Sequence, residues 1–193
     1  MNQVRATFDA QTITVYQAFG DAIADAALAA GRFVPPFSFG RMTWVKPQLL
    51  WLMERSQWAQ KTHQTRILAV RLKRTGWDEA LRTGVLTHPE PSAWPDPDGW
   101  RRAFAAATVH VQWDTDRGLR GEALQRNAIQ VGIGRAAVER FNTEWVAGLE
   151  DLTPRVMKMA KLLKEGRADA AKRLLPEERP YPVDAAVGRR LGM

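Results

Sequence analysis

The sequence predicts an α+β fold, with small mixed or antiparallel sheets flanked by helices and further helices toward the C-terminal end. Three observations carry this reading. Short β-forming runs alternate irregularly with helical patterns, unlike the regular series of a βαβ protein. No internal repeat is present. Hydrophobic residues make up 45% and charged residues 25% of the chain, ordinary for a folded soluble protein, and the 193 residues suffice for one domain with a core, or one domain plus a helical appendage.

Residues 12–18, with Thr12, Ile13, Thr14, Val15 and Tyr16, form the first strand. Asp21 is placed to cap a helix from Ala22 to Ala30, with Ile23, Ala26, Ala27 and Ala30 on one face, and Gly31 stops it. Pro35-Pro36 opens a loop, and Met42–Val45 is a short extended segment. Pro47 suits the first turn of a helix running to about Ala59. Leu49, Leu50, Trp51, Leu52 and Met53 make that helix largely buried, and Trp51 and Trp58 share a face as packing residues. Ile67–Leu72 is the next strand and Trp77–Leu86 a short helix. Pro89–Pro97 is a surface loop, Trp100–Ala107 a helix, and Val109–Trp113 a strand by its alternation. Asp114–Glu122 reads as a polar turn, Ala128–Ile133 as a strand and Arg135–Leu149 as an amphipathic helix. Residues 155–164 and 168–175 form two further helices on either side of Gly166, and Pro176, Pro180 and Pro182 impose an extended tail. The expected organisation is an α+β domain over 1–153, a helical extension over 154–182 packed on it through Met157, Leu162, Leu163, Leu174 and Leu175, and a disordered tail over 183–193.

Composition excludes several chemistries. With no cysteine, disulfides, Cys-ligated zinc, iron–sulfur clusters and thiol nucleophiles are ruled out. His63, His88 and His110 do not stand at metal-ligand spacing, so no metal is expected. No apolar run approaches the roughly 20 residues that span a bilayer, and Met1–Asp9 has no apolar signal core. A cytoplasmic protein without a membrane partner is expected. Gly132-Ile133-Gly134 lacks the rest of a dinucleotide fingerprint, and Ser38 and Ser56 have no nucleophile-elbow context. The net charge of +7 is uneven. Residues 154–193 hold 10 Lys+Arg against 5 Asp+Glu, and residues 1–153 hold 18 against 16. Lys158, Lys161, Lys164, Arg167, Lys172 and Arg173 are candidates to bind RNA or DNA, or else form a solvated helix face.

Most of the chain, from Arg5 to about Pro182, resembles a family of small proteins catalogued only as a domain of unknown function. The matching stretches are Ile13–Phe19, Gly31–Pro47, Ile129–Ile133 and Glu150–Pro154. Residues 15–46 also resemble the NAD-binding half of the ADP-ribosyltransferase superfamily. The resemblance lies in Val15-Tyr16-Gln17-Ala18, in the helix ending at Gly31, and in Gly40-Arg41-Met42-Thr43-Trp44. It implies NAD as substrate, and transfer of ADP-ribose to an acceptor such as a nucleic acid. Gln17 stands where that superfamily has a His or Arg, Tyr16 adjoins it, and Trp44 takes the place of the aromatic that stacks on nicotinamide. Arg41 and Lys46 would meet the pyrophosphate. The superfamily's glutamate has no clear counterpart. Gln130 occupies the strand where it would be sought, and Glu122 is the nearby acid. Without that Glu the alternatives are a distinct chemistry, a transfer that relies on basic residues, or a binding-only role; the basic C-terminal helices offer the alternative of a non-catalytic nucleic-acid-binding module.

Overall fold

The computed structural model describes residues 1–193. The strands are β1 (Arg5–Phe8), β2 (Thr12–Phe19), β3 (Thr43–Val45), β4 (Arg66–Lys73), β5 (Val85–Leu86), β6 (Val109–Arg117), β7 (Ala123–Ile133), β8 (Val146–Asp151) and β9 (Arg179–Pro180). The α-helices are α1 (Asp21–Ala30), α2 (Leu49–Ser56), α3 (Arg74–Thr83), α4 (Pro97–Ala106), α5 (Arg135–Arg140), α6 (Thr153–Lys164), α7 (Ala168–Lys172) and α8 (Ala185–Arg190). The fold is α+β, as expected. No helix is long and apolar enough to cross a membrane.

Two sheets make the frame. The first has strand order β8-β4-β2-β1-β9 and the second β3-β7-β6-β5. Every pairing is antiparallel except that of β5 with β6. The first sheet is covered on both faces, which is why β4 reads as a continuous apolar run. Leu68, Val70 and Leu72 enter the larger core with Val15, Trp77, Val131 and Phe141. Ile67 and Ala69 point the other way, into a second core formed with Leu49, Leu52 and Met53 of α2 and Val156, Met159 and Leu162 of α6. The two sheets are stitched where Tyr16 and Lys46 exchange backbone hydrogen bonds, Tyr16 N–H donating to Lys46 O at 2.6 Å and Lys46 N–H to Tyr16 O at 3.2 Å.

Several elements differ from the sequence expectation. The helix from Arg135 stops being α at Arg140, passes through a π-helical turn at Phe141–Trp145, and then becomes β8 against β4. Val138, Phe141 and Trp145 are buried as expected, because one turn of either helix type keeps them on one side. Helix α1 begins at Asp21 behind Gly20, and no side chain caps it. Helix α2 ends at Ser56. Gln57, Trp58 and Ala59 then all take positive φ, between 52° and 64°, a left-handed turn that costs non-glycine residues on the order of 1 kcal/mol each. Trp58 therefore does not share a helix face with Trp51. Helix α3 ends at Thr83 and Val85–Leu86 forms a strand instead. Residues 183–193, expected as a disordered tail, carry α8 and a fully buried Leu191 that belongs to the larger core. In α6 the buried methionine is Met159, while Met157 is 60% exposed.

Candidate functional site

The outward face of the second sheet is lined by residues of one parity. Trp44 pairs with Gly132 across β3 and β7, and Gln112 pairs with Gln130 across β6 and β7. The alternating neighbours Ile129, Val131 and Ile133 turn inward to the core, so the polar set is left facing a cleft. Gly132 allows the indole to lie flat on the strand. A β-carbon there would stand 2.9 Å from the Trp44 ring and 2.8 Å from Met42 Sδ.

The cleft is a chain of three compartments. The central one, about 420 Å³, is lined by Ala18, Trp44, Lys46, Trp51, Arg55 and Gln130 among others. On one side, about 450 Å³ opens between Gln17, Phe37, Arg41, Thr43 and Trp44. On the other, about 430 Å³ lies among Trp51, Glu54, Arg55, Lys61, Asp114 and Arg117. Lys46 and Trp44 belong to the first two compartments, and Trp51, Arg55 and Lys61 join the first to the third. Helix α2 walls the cleft. Its start is fixed by Gln48, whose Oε1 accepts from Ile129 N–H at 3.0 Å, and by the Glu178 carboxylate, which accepts from Leu49 N–H at 2.8 Å.

Gln17 is buried. Its Nε2 donates to Thr43 Oγ1 at 2.6 Å and to Trp44 O at 3.2 Å. Because Trp44 O only accepts, these bonds fix the amide orientation and leave Gln17 Oε1 buried with no partner. Trp44 O also accepts from Lys46 Nζ at 3.1 Å. Burial, and then the nearby Arg55 guanidinium, push the Lys46 ammonium down to about 8, against a smaller opposing pull from Asp114. Lys46 and Arg55 lie 5.8 and 5.4 Å from the centre of the Trp51 ring, a cation–π distance for both. None of Arg41, Lys46, Arg55, Lys61 and Arg117 is ion-paired with a carboxylate, although the chain forms such pairs elsewhere.

The sequence-derived residues divide clearly. Gln17, Arg41, Trp44, Lys46 and Gln130 come together around the cleft. Tyr16 does not. Strand alternation turns its ring into the second core, 2% exposed, and only its backbone adjoins Lys46. Glu122 is also displaced. The β6–β7 hairpin is longer than expected, so Glu122 sits at its exposed tip, where Oε2 accepts from Arg120 N–H at 2.9 Å. Eight residues of strand separate it from Gln130, about 26 Å at the usual rise. The acid of the β6–β7 ladder that does reach the cleft is Asp114, assigned to a turn by sequence but carried on β6. Its Oδ2 accepts from Gln130 Nε2 at 2.7 Å and its Oδ1 from Gln112 Nε2 at 3.0 Å. The continued alternation of Gln112, Asp114 and Asp116 beyond Trp113 was the signal available. Lys158, Lys161, Lys164, Arg167, Lys172 and Arg173 are exposed on and beside α6 and α7, and none lines the cleft.

No curated protein matches the chain. The family model described as Domain of unknown function (DUF4291) matches residues 3–181, nearly the whole fold including both sheets and α2, and the chain belongs to that family.

Proposed function

We propose that the protein is ADP-ribosyltransferase-like: it binds NAD in this cleft and transfers ADP-ribose to an acceptor, in the cytoplasm. One observation carries the reading. Gln17 on β2, Trp44 and Lys46 at β3, and Gln130 on β7 lie around one cleft, and Gln130 holds the Asp114 carboxylate there. The half-exposed indole of Trp44 suits a flat cationic nicotinamide ring. Lys46 and Arg41 suit the pyrophosphate. The unpartnered Gln17 Oε1 is an acceptor for a ribose hydroxyl or a carboxamide N–H. Asp114, held by the Gln112 and Gln130 amides and by no cation, is placed to meet the positive charge that develops on the ribose. In the transfer, the glycosidic C–N bond breaks and its electron pair leaves with nicotinamide. An acceptor oxygen bonds to the ribose carbon, and its proton passes to Asp114.

The test is an NAD titration followed by Trp fluorescence, with chromatography for released nicotinamide. Wild type is expected to bind NAD and to release nicotinamide slowly, with water as the acceptor oxygen in place of the natural acceptor. Trp44→Ala should lose binding, and Asp114→Asn should bind but not release. No wild-type binding at millimolar NAD, or an unchanged affinity in Trp44→Ala, refutes the proposal. The second reading, a nucleic-acid-binding module, rests on the six exposed cations near α6 and α7. It predicts RNA or DNA affinity that falls steeply with salt and is indifferent to Trp44→Ala.

A further inference from the structure

We infer that the third compartment of the cleft is an acceptor subsite for a phosphate monoester, so that the acceptor carries a terminal phosphate; the acceptor role rests on the NAD reading above. Three features support it. The compartment adjoins the Trp44 pocket through Trp51, Arg55 and Lys61 but contains neither Trp44 nor Lys46. A molecule in it therefore approaches the donor site without displacing what lies on Trp44. Its cations are Arg55, Lys61 and Arg117, and its acids are Glu54 and Asp114. Asp114 is engaged by Gln112 and Gln130, and none of the three cations has a carboxylate partner. Arg117 is steadied by donating Nη1 to Gly121 O at 3.3 Å, and Arg55 by the Trp51 ring. Three donors converging from a helix, a loop and a strand match the several oxygens of a phosphate better than the single charge of a carboxylate.

Placement adds a direction. Asp114 lines this third compartment, and its partner Gln130 lines the central one. A phosphate held by Arg117 and Lys61 thus positions the rest of its molecule beside the carboxylate that takes the acceptor proton.

The test is calorimetric titration of the full chain with inorganic phosphate and with glycerol 1-phosphate, glycerol serving as control, with and without saturating NAD. Both phosphates are expected to bind, glycerol not, and NAD to leave their affinity unchanged. Arg117→Ala should weaken phosphate at least about tenfold, the loss of one charge-assisted hydrogen bond, and leave NAD affinity intact. Thr115→Asp, an exposed change on the same rim, should do the same and stands in if Arg117→Ala does not fold. Competition between phosphate and NAD would overturn the inference, because the cations would then serve the donor's pyrophosphate. So would absence of phosphate binding by wild type, or indifference to both variants. Failure of the NAD reading shows separately, as no NAD binding in the titration without phosphate.

Discussion

Replacing Lys46 with methionine should make the protein more stable and less able to bind its ligand. The ammonium is pushed from 10.5 down to about 8 by burial and by Arg55. A depression of that size disfavours the charged form by about 3 kcal/mol at neutral pH. Methionine keeps the length of the stem and its packing against Trp51 but removes the charge. One hydrogen bond is lost, to Trp44 O, and that carbonyl keeps a second donor in Gln17 Nε2 at 3.2 Å, so no buried acceptor is orphaned. After allowance for relaxation and water penetration, Lys46→Met should gain about 1–2 kcal/mol, or about 2–8 °C in Tm for a domain of this length. Anion affinity should fall about tenfold, since a charge-assisted contact is gone. Thermal unfolding and NAD titration of the same preparations check both signs. A lower Tm together with unchanged NAD affinity would refute the reasoning, because Lys46 would then be a structural cation. The wild type adds a further check. NAD affinity should decline as pH rises through about 8, where the folded Lys46 loses its proton, and Lys46→Met should not show that decline.

Gly132→Ala should swing the Trp44 indole off β7. Its β-carbon meets the ring and a flexible, exposed Met42, so stability should change by less than the about 1–3 kcal/mol of core overpacking while NAD affinity drops; a crystal structure with an unmoved ring would contradict this. Glu178→Gln tests a second buried charge. Burial, with Asp116 adding to it, pushes Glu178 from 4.5 up to about 7 despite the bond from Leu49. The folded state thus holds a proton that the unfolded chain releases, so wild-type stability should fall by up to about 3 kcal/mol as pH rises from 4.5 through 7. Glu178→Gln keeps an acceptor for Leu49 N–H and should flatten that part of the urea-derived pH profile; an unchanged slope would exclude Glu178 as its source. Asn142→Ala should cost about 2–4 kcal/mol by urea unfolding, because Asn142 satisfies both Phe33 N–H at 2.8 Å and Phe33 O at 2.9 Å in the core; a cost below that range would mean water replaces the amide.

The legible parts of the chain were those governed by local pattern. The alternation in β2, the glycine stop after α1 and the apolar run of α2 needed only neighbours along the sequence. The grouping of Gln17, Arg41, Trp44 and Lys46 comes instead from the resemblance of residues 15–46 to the ADP-ribosyltransferase superfamily, and the structure does gather the four around one compartment. The misread parts depend on partners far away. Residues 146–151 continue a helical spacing but are claimed by β4, where Gly148 pairs with Arg71 and a β-carbon would stand 2.9 Å from the Arg71 guanidinium. By sequence Asp114 reads as the start of a polar turn and Glu122 stands out for lying just before the strand of Gln130, whereas the length of the β6–β7 ladder decides which of them reaches the cleft. The tail from 183 onward looks polar and short, and it is ordered because Leu191 completes a core built by residues a hundred positions earlier.

The seam between Tyr16 and Lys46 has a mechanical meaning. The two sheets act as plates pinned together here, and the pin is the backbone of the residue whose ammonium sits in the cleft. Any slip of β2 against β3, whether from heat, a distant substitution or a ligand seated on Trp44, is delivered to Lys46 without an intervening lever. Random mutagenesis aimed at activity should therefore return hits on the first sheet, at positions such as Val15 and Val70 that touch no ligand, because they pack against the second sheet and set the angle at which the plates meet.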